Sequence, residues 1–150
     1  SYFGNREIEE KKYKDGWYHT GDIGVWNENS VVTVLGRIDD MMNVSGENIY
    51  PDQLEEILCM NEKISDCIVT SVPDEIRGES IVVYVLKKDG ISLEEVAAFC
   101  SDKNYFSKYK RPRFYSYIEK IPVNSTGKKQ RTLVKEMALE HLKNGLLKKL

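Results

Sequence analysis

No apolar run among the 150 residues approaches the roughly 18 that a membrane helix needs, and the first residues carry neither the basic nor the apolar region of a signal peptide. A soluble, cytoplasmic protein is therefore the expectation. Cysteine is scarce as well. Cys59, Cys67 and Cys100 are odd in number and lack CxxC spacing, so neither a disulfide framework nor a zinc site is suggested, and buried, reduced thiols are expected. No GxxxxGK[ST] occurs, so Lys128 is not part of a phosphate-binding P-loop. Internal repeats and low-complexity stretches are missing too. The chain starts at Ser1 without an initiator Met, and its first residues read as the middle of something, so a fragment is expected.

What is present begins with charge. Residues 1–102 hold 9 Lys/Arg against 21 Asp/Glu, and residues 103–150 hold the remaining 13 and 3, giving balances of −12 and +10 that sum to the net −2. Such asymmetry suggests that the C-terminal part meets an anion: a protein surface, a phosphorylated cofactor or nucleic acid. Its plainer reading is a solvated, Lys-rich terminal helix over 135–150.

Hydrophobic patterning predicts interleaved elements. Val25-Trp26 and Val31 to Leu35 flank the turn-forming stretch Asn27 to Ser30, which reads as an antiparallel hairpin. Trp17, Tyr18 and Trp26 are expected to pack on it, and Met41-Met42 to cover an apolar patch. Pro51 suits the first turn of a helix carrying Leu54, Ile57 and Leu58 at helical spacing. Cys67 to Thr70 and Ile81 to Leu86 read as strands separated by a turn at Pro73-Asp74. Ser92 and Glu95 form a capping-box pattern ahead of Leu93, Val96, Ala97 and Cys100. A short strand at Phe114 to Ile118 precedes Pro122, a Gly-containing loop and a last helix from about Thr132. The class expected is α+β, a small mixed sheet with helices packed on it, preceded by a β-hairpin and a hinge.

Two stretches look chemical. Asp22, between glycines at the start of a strand, can accept two hydrogen bonds from a diol, as carboxylates do with ribose. Arg37 at the end of the second strand adds fixed donors to the same sugar or a nearby phosphate. The second stretch is the cationic cluster Lys108 to Arg113 with Tyr109 inside it, followed by the Gly127-Lys128 turn. Arg111 and Arg113 around a proline suit bidentate phosphate binding, and Lys128 suits a mobile point charge.

The ordered string TGD, a hairpin, GRIDDMMNVSGENIYPDQLEEIL, YKRPR and PVNSTGK resembles the C-terminal third of the acyl-adenylate-forming superfamily, which comprises acyl-CoA and aryl-CoA ligases, peptide-synthetase adenylation domains and luciferases. The resemblance spans nearly the whole chain and is nearest to aryl and medium-chain acyl-CoA ligases. It implies that residues 1–37 end a large N-terminal adenylation domain and that 38–150 form a mobile lid. By the same resemblance Asp22 and Arg37 hold ATP ribose, Asp39 is the hinge, and Lys128 bridges the substrate carboxylate and the α-phosphate. Ser45, Gly46 and Glu47 would line the pantetheine path of CoA. Arg111 and Arg113 would meet its phosphates, and Tyr109 its adenine, with Arg77 near the same ring. Asn43 stands where many relatives carry Lys, and His19 where they often carry Arg or Lys.

The implied activity is that of an acid–thiol ligase: carboxylate and ATP give acyl-AMP, then CoA takes the acyl group as a thioester. The phosphate loop, the acyl pocket and most of the magnesium site would lie in the large domain, so these 150 residues are expected to be inactive alone, to hold no metal and to leave the acid unspecified. An adenylation domain that loads a carrier protein is the alternative within enzymes. A basic nucleic-acid-binding module is the alternative outside them, opposed by the acidic N-terminal part and the lack of a reader motif.

Overall fold

A computed structural model describes residues 12–150. The chain divides into two compact units, one ending at Asp39 and one running from Asp40 to Leu150.

In the first unit, β1 (Tyr13–Lys14) pairs with β2 (Trp17–Tyr18) across Asp15 and Gly16, whose φ angles of 54° and 81° make a two-residue turn of the twist that hairpins prefer. The sequence carries this turn as its Asp-Gly pair. The expected hairpin follows as β3 (Asp22–Trp26) and β4 (Val32–Arg37), with a bulge between Ile23 and Gly24. Asn27 closes its turn by accepting from the amides of Asn29 and Val31 through Oδ1. Trp17 and Trp26, expected to pack on this hairpin, instead stand 76% and 70% exposed. A two-stranded ribbon has no third layer on which to bury such rings.

The second unit is a mixed sheet in the order β10-β9-β8-β5-β6, with β7 on the free edge of β8. Its strands are β5 (Met42–Val44), β6 (Glu47–Ile49), β7 (Cys67–Asp74), β8 (Gly78–Leu86), β9 (Phe114–Ile118) and β10 (Lys148–Lys149). The helices are α1 (Pro51–Leu58), α2 (Leu93–Ser101) and α3 (Arg131–Lys143). Along β8, Ile81, Val83 and Val85 join one buried cluster with Leu54 and Leu58 of α1 and Val96 of α2. Val82, Tyr84 and Leu86 join another with Val134 and Ala138 of α3. Both faces of β8 are thus covered, which explains why its sequence is an unbroken apolar run rather than an alternation. The α+β class is the one expected.

The predicted capping box is present: Ser92 Oγ accepts from the Glu95 amide, and Glu95 Oε2 accepts from the Ser92 amide. Two expectations need correction. Pro73 and Asp74 are not a turn, because β7 continues through both and pairs Pro73 with Glu79. Among the described residues β7 pairs only with β8, so a residue lacking an N–H costs no ladder bond on the open side. Cys59 is exposed rather than buried, since it caps the C-terminus of α1, whereas Cys67 and Cys100 are buried as expected.

Candidate functional site

Asp22 opens β3 and Arg37 closes β4, and the hairpin register sets them directly opposite each other. Arg37 Nη1 lies 3.1 Å from Asp22 Oδ1 and 3.1 Å from the Thr20 carbonyl, while its Nη2 lies 3.6 Å from Asp39 Oδ2. One guanidinium therefore ties together all three positions read from the sequence in this unit. Gly21 makes room for it. A Cβ there would stand 2.9 Å from Arg37 Nη2, on a backbone with φ of +84°. Both Asp22 and Arg37 keep 43% of their side chains exposed, so the pair is preset yet open to a ligand with hydroxyl or phosphate oxygens.

In the second unit Lys128 sits on a tight turn between Pro122 and α3. Asn124 organises it: its Oδ1 accepts from the amides of Thr126 at 3.0 Å and Lys128 at 2.9 Å, and from the Thr126 hydroxyl at 2.7 Å. Asn124 N donates to the Lys128 carbonyl, and Gly127, at φ 81°, donates to the Asn124 carbonyl. Val123 and Lys129 form a bridge that closes the turn. Successive residues along an extended segment point to opposite sides. Lys129 points in and Lys128 out. Among the described residues no hydrogen bond or ion pair engages the Lys128 ammonium.

The inward side is a buried ionic hub that the sequence reading missed. Glu55 of α1, 6% exposed, accepts from Val69 N at 2.8 Å, from Lys129 Nζ at 2.9 Å and from both Nη atoms of Arg131. Lys129 Nζ also donates to Asp66 Oδ1 at 2.7 Å and to the Cys67 carbonyl at 2.6 Å. Arg131 further pairs with Asp52 and, at 3.5 Å, with Asp40. Burial alone would lower the pKa of Lys129, but its hydrogen bond to Asp66 and the charge of Glu55 outweigh that and hold it above the ordinary 10.5. A charge buried without such partners would be costly.

Ser45 and Arg113, two of the residues linked above to CoA, are connected along one edge of this unit through Arg77 and Asp74. Ser45 and Gly46, with φ of 54° and 87°, form the two-residue turn joining β5 to β6, and Glu47 follows exposed on β6. Asn43 holds that turn, its Oδ1 accepting from Gly46 N and its Nδ2 donating to Asn48 Oδ1, both at 3.2 Å. Ser45 N donates to the Arg77 carbonyl at 2.8 Å. Arg77 N donates to Asp74 Oδ1 at 3.0 Å, and Arg113 Nη1 to Asp74 Oδ2 at 2.8 Å. Asp74 thus connects this turn to Arg113, and the guanidinium of Arg113 is already partly satisfied. The Ser80 hydroxyl and the Arg77 and Ile76 amides on Asp74 draw its pKa down to about 2. Tyr109 is exposed on a single 3-10 turn, Lys108–Lys110. Arg111 Nε is buried with no hydrogen-bond partner. No hydrogen bond or ion pair joins Lys128 to this edge among the described residues, and none of these residues forms a group of three or more His, Cys, Asp or Glu able to hold a metal ion.

Comparison with known proteins then decides the family. The model described as AMP-binding enzyme C-terminal domain matches residues 53–128, which is 76 of 150 residues. The chain belongs to the AMP-binding enzymes, as their C-terminal domain. It is 32% identical over 145 residues to a long-chain-fatty-acid–CoA ligase of Yersinia pestis, covering 96% of this chain and 25% of that protein. It is 35% identical over 144 residues to a mitochondrial medium-chain acyl-CoA ligase of Pongo abelii, covering 94% and 23%. Among solved structures, the o-succinylbenzoate-CoA synthetase of Bacillus subtilis, in complex with its acyl-adenylate intermediate, aligns with a TM-score of 0.82 and 29% identity over 90% of this chain and 28% of that one. This AMP-binding C-terminal domain therefore spans about a quarter of the length of such relatives. Among its described residues no helix is long and apolar enough to cross a membrane.

Proposed function

We propose that this domain is the catalytic lid of an ATP-dependent acyl-CoA synthetase, contributing Lys128 to adenylate formation and the Ser45–Arg113 edge to thioester formation. The observation that carries the reading is the outward, unpaired ammonium of Lys128 on a turn whose neighbouring basic residues are locked inward. Attack of a carboxylate on an α-phosphate brings two anions together. A cation fixed at that point lowers the barrier by stabilising charge as it develops. Asp22 and Arg37 supply the acceptor and donors for a ribose, and Asp39 is the pivot between residues 1–37, the end of the large domain, and the lid at 38–150. ATP, CoA and the carboxylic acid are the substrates. The rest of the large domain is the obligatory partner, and it carries most of the magnesium site, so the chain alone is inactive. A cytoplasmic setting belongs to the same proposal.

The exposed Ser45-Gly46 turn gives a thiol arm a backbone to approach without side-chain obstruction, since nothing lies within 4 Å of a Cβ built at Gly46. Arg111 and Arg113 favour a nucleotide-bearing thiol over a carrier protein. The test uses the full-length enzyme. Lys128→Ala is expected to lose acid-dependent pyrophosphate release while still converting a supplied acyl-adenylate to thioester, and Arg111→Ala is expected to raise the KM for CoA with adenylation intact. Equal loss of both half-reactions in each variant would refute the assignment.

A further inference from the structure

Lys128 and Lys129 are chemically identical neighbours with opposite fates. Three protons sit on the ammonium of Lys129, and the three acceptors Glu55 Oε2, Asp66 Oδ1 and the Cys67 carbonyl take them at 2.9, 2.7 and 2.6 Å. Asn124 does the complementary task on the outer side of the turn, where one amide oxygen fixes the backbone of Thr126 and Lys128. We propose that Lys129 and Asn124 are positioning residues for the adenylate-forming half-reaction: Lys129 pins the inner side of the turn to the Glu55 hub and Asn124 pins the outer side, so that Lys128 is presented in one direction. This rests on the reading of Lys128 given above.

The chemistry gives the arrangement its value. A cation that must meet charge developing on a phosphate is effective only when it does not have to reorganise first, and a misplacement of an ångström costs on the order of 100-fold in rate. A lysine on a loose loop would lose its side-chain and backbone freedom at each turnover. Here the backbone part of that ordering is already complete in the fold. Neither Lys129 nor Asn124 touches substrate in this scheme, so their effect should appear in one half-reaction only.

The experiment compares Asn124→Ala, Lys129→Met and Lys128→Ala in the full-length enzyme, measuring pyrophosphate release with acid and ATP, and thioester formation from supplied acyl-adenylate and CoA. Asn124→Ala and Lys129→Met are expected to lower kcat of the first roughly 10- to 100-fold, with KM for ATP and the thioester rate unchanged. A merely structural role would depress both half-reactions together, and that result overturns the inference. Loss of adenylation in Lys128→Ala with none in the other two overturns it while leaving the function standing. Retained adenylation in Lys128→Ala removes the function and this inference with it. Asn124 is exposed on the turn, so Asn124→Ala decides the matter even where Lys129→Met fails to fold.

Discussion

Glu55 shows what a single residue can hide from a sequence. It lies in α1 between inward Leu54 and Leu58, where helical spacing alone suggests a solvated flank. Its partners Lys129 and Arg131 are 74 and 76 residues away, so no local pattern exposes the hub. The turn that carries Lys128, by contrast, is legible in its Asn-Ser-Thr-Gly string. Removing one member of a buried, hydrogen-bonded charge group leaves the others uncompensated at about 3–5 kcal/mol. Glu55→Ala is expected to destabilise the fold by up to that order in chemical denaturation, with Lys129 left to Asp66 and Arg131 to Asp52 and Asp40. Gly21→Ala tests the nucleotide pair. Its positive φ costs about 1–2 kcal/mol for a residue with a Cβ, and the added carbon at 2.9 Å displaces the end of Arg37. On the proposed function the KM for ATP rises in the full-length enzyme, and the rate of thioester formation from bound adenylate changes less.

At the scale of elements, most of the fold could be read. β3, β4, β7, β8 and β9, the Pro51 helix and the capped helix rest on local signals strong enough to survive tertiary context, whereas the short strands β1, β2, β5, β6 and β10 are too brief to show a period of their own. Ser92→Ala removes the oxygen that caps Glu95 N and is expected to cost about 1 kcal/mol, read as a lowered denaturation midpoint with unchanged slope. The misreadings are equally physical. Pro73 looks like a stop until β7 proves to be open on one side. The Ser45-Gly46 loop is a hairpin whose register depends on Asn43 and on the Arg77 carbonyl, contacts that only the folded sheet supplies. Asp74 appeared to be a turn residue but serves as the junction of one whole edge.

For the molecule as a whole, the division of charge along the chain has a partly internal explanation. Arg113, Lys129, Arg131, Lys135 and Lys148, all in the basic C-terminal part, pair with Asp74, Glu55, Asp66, Asp40, Asp52, Glu79 and Glu94 from the acidic part. Part of the apparent demand for an external anion is thereby met inside the fold, which weakens the nucleic-acid alternative. Hydrogen-bonded carboxylates also set the acid limb of stability. Asp74 falls from an ordinary 3.8 to about 2, first through the Ser80 hydroxyl, and Glu95 from 4.5 to about 2, first through Lys63. Both pKa values are depressed in the folded state, so the unfolded chain binds more protons between the two values. Stability is expected to hold above pH 4.5 and to decline as pH falls from there toward 2, measurable as a falling melting temperature.

On the proposed function the pivot lies at two adjacent aspartates: Asp39 pairs with Arg37 in the first unit and Asp40 with Arg131 in the second. The central claim is that rotation at this point carries Lys128 to the nucleotide and then withdraws it. In the full-length enzyme, with exposed Cys59 replaced by serine and spin labels at Asn29 and at Ile76, which is 91% exposed, the interlabel distance should be measured by electron–electron double resonance. The account predicts one distance with ATP and a non-reacting acid analogue and a clearly different one with a stable acyl-adenylate analogue and CoA. A single unchanged distribution under both conditions would contradict it.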